Sequence, residues 1–112
     1  MPVMRTPADR PDWVTWSNFG FGTVHDAEGF DRHFHDADEY WMVFSGKARV
    51  MSEGREYVIG PGDVLCTRMG DEHDILEIID GPLRTFWFED ELKGLKRPGH
   101  LHRPDDEPAT RE

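Results

Sequence analysis

Apolar residues fall along this chain in short runs rich in Val, Ile, Phe, Tyr and Trp, and Gly, Pro and Asp break the runs every eight to twelve residues. Short runs in which apolar and polar side chains alternate suit strands that bury one face, and this spacing is that of an all-β sandwich or barrel. The pattern predicts strands near residues 13–18, 21–25, 30–35, 39–45, 47–51, 55–59, 63–67, 73–79 and 83–89. Turns are expected at Ser45-Gly46, Ser52-Glu53-Gly54, Gly60-Pro61-Gly62-Asp63, Met69-Gly70-Asp71 and Asp80-Gly81-Pro82, where Gly and Pro interrupt regular pairing. No long window repeats its apolar residues with a helical period, so long helices are not expected.

Composition then limits the size of the folded part. With 112 residues there is room for one domain. Residues 1–12 are polar and carry Pro2, Pro7 and Pro11, which reads as an arm. Residues 93–112 hold only Leu95, Leu101 and Ala109 as aliphatic side chains, so they read as a polar tail, leaving 13–92 as the barrel domain. Within 93–103 there is no acid, and that segment could lie back on a negative surface. The net charge is -10, and residues 13–92 carry 17 acids against 6 bases, so the globule itself is acidic. Such a surface repels a phosphate backbone, and nucleic acid is not an expected partner. Cys66 is the only cysteine, which excludes an internal disulfide and thiolate-rich metal sites; in Val-Leu-Cys-Thr it reads as a small buried hydrophobe. No segment has the ~20 apolar residues of a membrane span, and the first residues do not resemble a secretory leader, so a soluble cytoplasmic protein is expected.

The chemistry gathers around histidine. His33 and His35 are two apart, and on a strand residues i and i+2 share a face. Glu39 keeps the same parity, Gly46 follows at a turn, and His73 opens a later predicted strand. Three neutral imidazoles and a carboxylate form a nitrogen and oxygen donor set suited to one borderline divalent ion: iron, manganese, nickel, cobalt or zinc. A closed structural zinc site would normally recruit thiolates, and none is placed here. Ligand distances of ~2.0–2.3 Å are expected for such an ion.

On these residues the sequence resembles the cupins. Their first motif, G-x5-H-x-H-x3,4-E-x6-G, is matched by His33, His35, Glu39 and Gly46, and their second, G-x5-P-x-G-x2-H-x3-N, in part by Gly62, Gly70 and His73. Ala27 stands where the leading glycine of the first motif is expected, Arg68 replaces the proline, and Glu77 replaces the terminal asparagine. None of these departures removes a ligand. The resemblance implies an antiparallel double-stranded β-helix, or jelly-roll barrel, binding one metal through His33, His35, Glu39 and His73, and dimers built by adding strands across subunits.

Several further residues could line a pocket. Trp41 and Val43 continue the face of Glu39 and suit a pocket wall or core. Glu77, four residues beyond His73, is expected on the same face, to orient a ligand imidazole or act as a general base, and Arg84 either faces inward as a clamp for a substrate carboxylate or faces water. His25 reads as a surface residue or as support for a ligand, and His100 and His102 as exposed or subunit-packing residues. Tyr40, Met42, Phe44 and Phe34 should face outward as an apolar patch covered in a homodimer, or in part by Trp13 and Trp16. The expected function is an enzyme acting on a small oxygen-rich metabolite by oxygenation, isomerisation or lyase chemistry through a metal-bound enolate. The alternatives are a sugar- or small-acid-binding module without turnover and a metal-stabilised structural protein.

Overall fold

A computed structural model describes residues 3–91 and Leu101. Five strands carry the fold: β1 (Asn18–Val24), β2 (Glu39–Ser52), β3 (Arg55–Ile59), β4 (Val64–Thr67) and β5 (His73–Glu89). All their pairings are antiparallel, with β1, β5, β2 and β3 in that order and β4 beside β2 on the edge that β3 also uses, opposite β5. Two single turns of 3-10 helix, Pro7–Asp9 and Ala27–Gly29, are the only helical pieces among the described residues, as the absence of a helical period requires. None is long and apolar enough to cross a membrane.

The two long strands give the barrel its roll. The first half of β2 lies between β4 and the end of β5, whereas its second half lies between β3 and the start of β5. Each strand therefore passes from one sheet to the other, and the expected breaks at Ser45-Gly46 and Asp80-Gly81-Pro82 are bulged bends inside continuous strands. Gly46 has φ +86, and a Cβ there would lie 2.3 Å from the Pro82 carbonyl oxygen. Only glycine lets the two backbones cross so closely. The hairpin after β2 turns at Glu53 and Gly54, both at positive φ, as a two-residue loop demands.

Alternation along β2 and β5 fills the interior. Trp41, Val43, Ala48 and Val50 from β2 meet Ile75 and Leu83 from β5, with Ile59 and Leu65 closing the cluster. Two expected strands do not form. Residues 14–17 carry no strand ladder, because the chain turns at Asp12 and Trp13 just after Pro11. Residues 30–35 pair only through single bridges, His33 with His73 and Phe34 with Leu101. Phe34 is consequently buried and not part of an outer patch. Cys66 is exposed, since β4 turns Leu65 and Thr67 inward and Val64 and Cys66 outward.

Candidate metal centre

The bridge between His33 and His73 brings residues 30–35 against the first residue of β5, while Glu39 opens β2 beside them. His33, His35, Glu39 and His73 are all buried, and their donor atoms lie within 4.8 Å of one another. The Nε2 atoms of His33 and His73 are 2.8 Å apart. Glu39 divides its carboxylate, with Oε1 3.1 Å from His73 Nε2 and Oε2 3.2 Å from His35 Nε2. The Nε2 atoms of all three histidines therefore face one volume.

Neighbouring groups hold the rings in that orientation. His33 Nδ1 is 2.6 Å from the Asp31 carbonyl oxygen, and His35 Nδ1 is 3.0 Å from Glu89 Oε2. A proton on each Nδ1 satisfies these acceptors and leaves Nε2 with its lone pair, the arrangement that outer partners impose on ligand histidines. Trp41 Nε1 donates to Glu39 Oε1 over 2.9 Å, which orients the carboxylate. Three imidazole Nε2 atoms facing one volume and one anchored carboxylate fit a divalent ion.

Burial alone would raise the Glu39 carboxyl. When these imidazoles are protonated, as they can be without a metal, the His35 hydrogen bond and the positive charge of His73 and His35 outweigh burial and hold it at about 2. At Glu89 burial dominates, and with the Glu39 carboxylate beside it the group is raised to about 7 against the pull of His35. Two adjacent carboxyls are thus driven apart in acidity by their surroundings.

Two of the four donors, His33 and Glu39, line a cavity of about 280 Å³. Its walls come from Trp41 and Ile75 together with Leu83, Thr85, Trp87 and Glu89, the inward residues of the end of β5. Trp41 both lines it and packs in the core cluster, whereas Val43 belongs to the core alone.

The two expected catalytic residues lie elsewhere. Arg49 pairs with Glu77 while Val50 pairs with Ile75, so Leu76 is an extra residue and the parity of β5 reverses after it. His73 and Ile75 face inward, but Glu77 is exposed and its Oε1 sits 3.3 Å from Arg49 Nε. Arg84 is exposed because Leu83 and Thr85 take the inner face. Neither side chain reaches the cavity. Glu89 lines the cavity instead; counting in steps of two back from it through Trp87 and Thr85 to Leu83 gives the inner face once one member is known. His25 is exposed, and His100 and His102 lie outside the described residues.

Comparison with known proteins agrees with this geometry. Residues 20–89 match the cupin domain family. A protein of Sinorhizobium fredii, uncharacterized protein y4oW, is 39% identical over 72 residues, covering 64% of this chain and 33% of its own, so the chain spans about a third of that relative's length. Among solved structures, a predicted oxalate decarboxylase of Thermotoga maritima superposes with TM-score 0.61 at 19% identity, over 69% of this chain and 68% of that one. A putative ethanolamine utilization protein Q of Salmonella typhimurium gives 0.60 at 21% identity, over 80% and 66%. These two likenesses concern the fold. With a bent, rolled pair of long strands, two histidines and a glutamate entering the barrel and a third histidine opening its last strand, the chain belongs to the cupin domain family.

Proposed function

We propose that this protein is a metal-dependent cupin enzyme, holding one divalent ion on His33, His35, Glu39 and His73 and acting on a small oxygen-rich molecule in the adjoining cavity by oxygenation, isomerisation or lyase chemistry. The observation that carries the reading is the convergence of four buried donors, two of which line an open cavity. Four protein ligands leave a five- or six-coordinate ion room for a substrate atom, and the ion would supply Lewis acidity or a redox centre there. An ion serving structure alone would have no need of a cavity beside it.

The chain's own residues supply the rest. Trp41, Leu83 and Trp87 exclude water and strengthen every charge interaction in the cavity. Glu39 offsets part of the ion's charge. Glu89 is the one ionisable lining residue outside the four donors among the described residues, so its carboxyl takes the proton-holding role expected of Glu77. We also propose a cytoplasmic homodimer, supported by the acidic composition, the lone cysteine and exposed aromatics on the outer sheet face.

Elemental analysis of protein purified without a histidine tag tests the metal centre, with one transition-metal ion per chain expected. Protein that stays metal-free after exposure to each candidate ion would remove the reading. A turnover screen with the native ion then separates an enzyme from a module that only binds.

A further inference from the structure

The lining of the cavity restricts what can enter it. At about 280 Å³ it lies just below the ~300–1,000 Å³ usual for small-molecule sites, which suits a single ring system. Trp41, Trp87, Phe30 and Leu83 give its wall large apolar surfaces, and the neutral polar groups on it are Asn18 and Thr85. The Trp87 indole lies against β1 where glycines make space: a Cβ on Gly20 would be 2.8 Å from its Cζ2. Two indoles and a phenyl ring offer flat, polarisable surfaces for a planar guest.

Charge restricts it further. Among the described residues no lysine or arginine lines the cavity: of the two adjacent in sequence to wall residues, Arg32 pairs with Asp74 and Arg84 points to solvent. Both carboxylates at the metal end, Glu39 and Glu89, are negative or neutral, never positive. A dicarboxylate would bring two charges to an ion already offset by Glu39. Its remaining charge would lose water with no cation to meet it. The field of a chain with net charge -10 opposes its approach as well.

We propose that the cavity selects small, planar, uncharged molecules that present hydroxyl or carbonyl oxygens to the ion, and that it rejects dicarboxylates. The proposal rests on the metal-centre reading above, and its test keeps the two separable. Zinc-loaded protein is titrated calorimetrically at pH 7 with catechol, a planar diol uncharged in free solution that releases any proton lost on coordination to the buffer, and separately with oxalate, while zinc content is followed.

Catechol should bind, and oxalate at least tenfold more weakly or only by stripping zinc. Gly22→Val places a side chain beside Thr85 in the cavity, where even a Cβ comes 3.2 Å from Thr85 Oγ1, and should weaken catechol about tenfold at unchanged zinc content. Trp87→Leu keeps apolar bulk without the planar surface and should do the same, which retains the test if the valine variant does not fold. Zinc-loaded protein that takes oxalate as tightly as catechol, or whose Trp87→Leu variant binds catechol undiminished, overturns the selectivity alone. Protein that takes up no zinc overturns the metal centre and this inference with it.

Discussion

At Glu89, burial and a neighbouring carboxylate act in one direction and raise the carboxyl from 4.5 to about 7. The folded protein therefore holds a proton that the unfolded chain has released. That contribution to stability is full below about 4.5 and is lost as pH rises through 7. Thermal melts of chelator-treated protein should show this decline, and Glu89→Gln should flatten it over the same window. Glu39 has the opposite sign: with its carboxyl at about 2, its contribution is present above 4.5 and lost only as pH falls toward 2. Metal uptake should follow the imidazoles and weaken below ~6.5, where three ligands compete with protons. Binding unchanged at pH 4 would exclude histidine ligation. Gly46 is the other decisive single residue. An alanine there must hold φ near +86 with its Cβ 2.3 Å from one backbone oxygen and 2.8 Å from another, that of Asp80. Gly46→Ala should cost about 3 kcal/mol by denaturant unfolding.

Bulges decide which side chains of a strand meet the site. A strict period of two from His73 puts Glu77 inside, and the extra residue at Leu76 puts it outside beside Arg49. Glu77→Gln should therefore leave metal content and any turnover unchanged and shift stability by less than about 1 kcal/mol, as for an exposed ion pair. Turnover reduced a hundredfold would restore it as a base. The position of Arg84 has a different origin, since every residue from Leu83 to Phe88 except Arg84 and Thr85 is apolar and local alternation does not distinguish the faces. Pairing of Thr85 with both Gly22 and Val43 settles the matter by setting Thr85 inward. The merging of predicted strands has a similar cause. Ser45-Gly46 and Asp80-Gly81-Pro82 carry turn chemistry, but each serves a bend that needs the other to cross it.

Over the whole molecule, the outer sheet face gathers the aromatics that the core does not use. Trp16 stacks on Phe88 with ring centroids 4.1 Å apart, and Phe88 on Tyr40 at 4.9 Å, so the N-terminal segment covers one end of this face. Phe21 and Phe44 meet edge to face yet remain 76% and 50% exposed. Met42 and Val64 extend the same uncovered region. A second copy would bury these side chains, and light scattering at micromolar concentration should give a dimer mass that Phe21→Asp lowers to that of the monomer. A monomeric mass for the unaltered protein would refute the dimer.

The fold class was legible in the residue order because alternation and turn residues are short-range, and the four donors because their spacing matches the cupin motifs. Strand parity does not unite the donors, since residues 30–35 form single bridges and residues 33–37 are all buried. Pairing between distant strands decided the rest. Residues 30–35 are held by single bridges to His73 and Leu101, far along the chain, and Phe34 is buried by that pairing. Leu76 is extra only by comparison with β2, so the exclusion of Glu77 is a property of two strands and not of one. Glu89 lies fifty residues beyond Glu39, and their meeting follows from the register of β2 against β5. A short period identifies which residues share a face; only the closed barrel determines which faces meet.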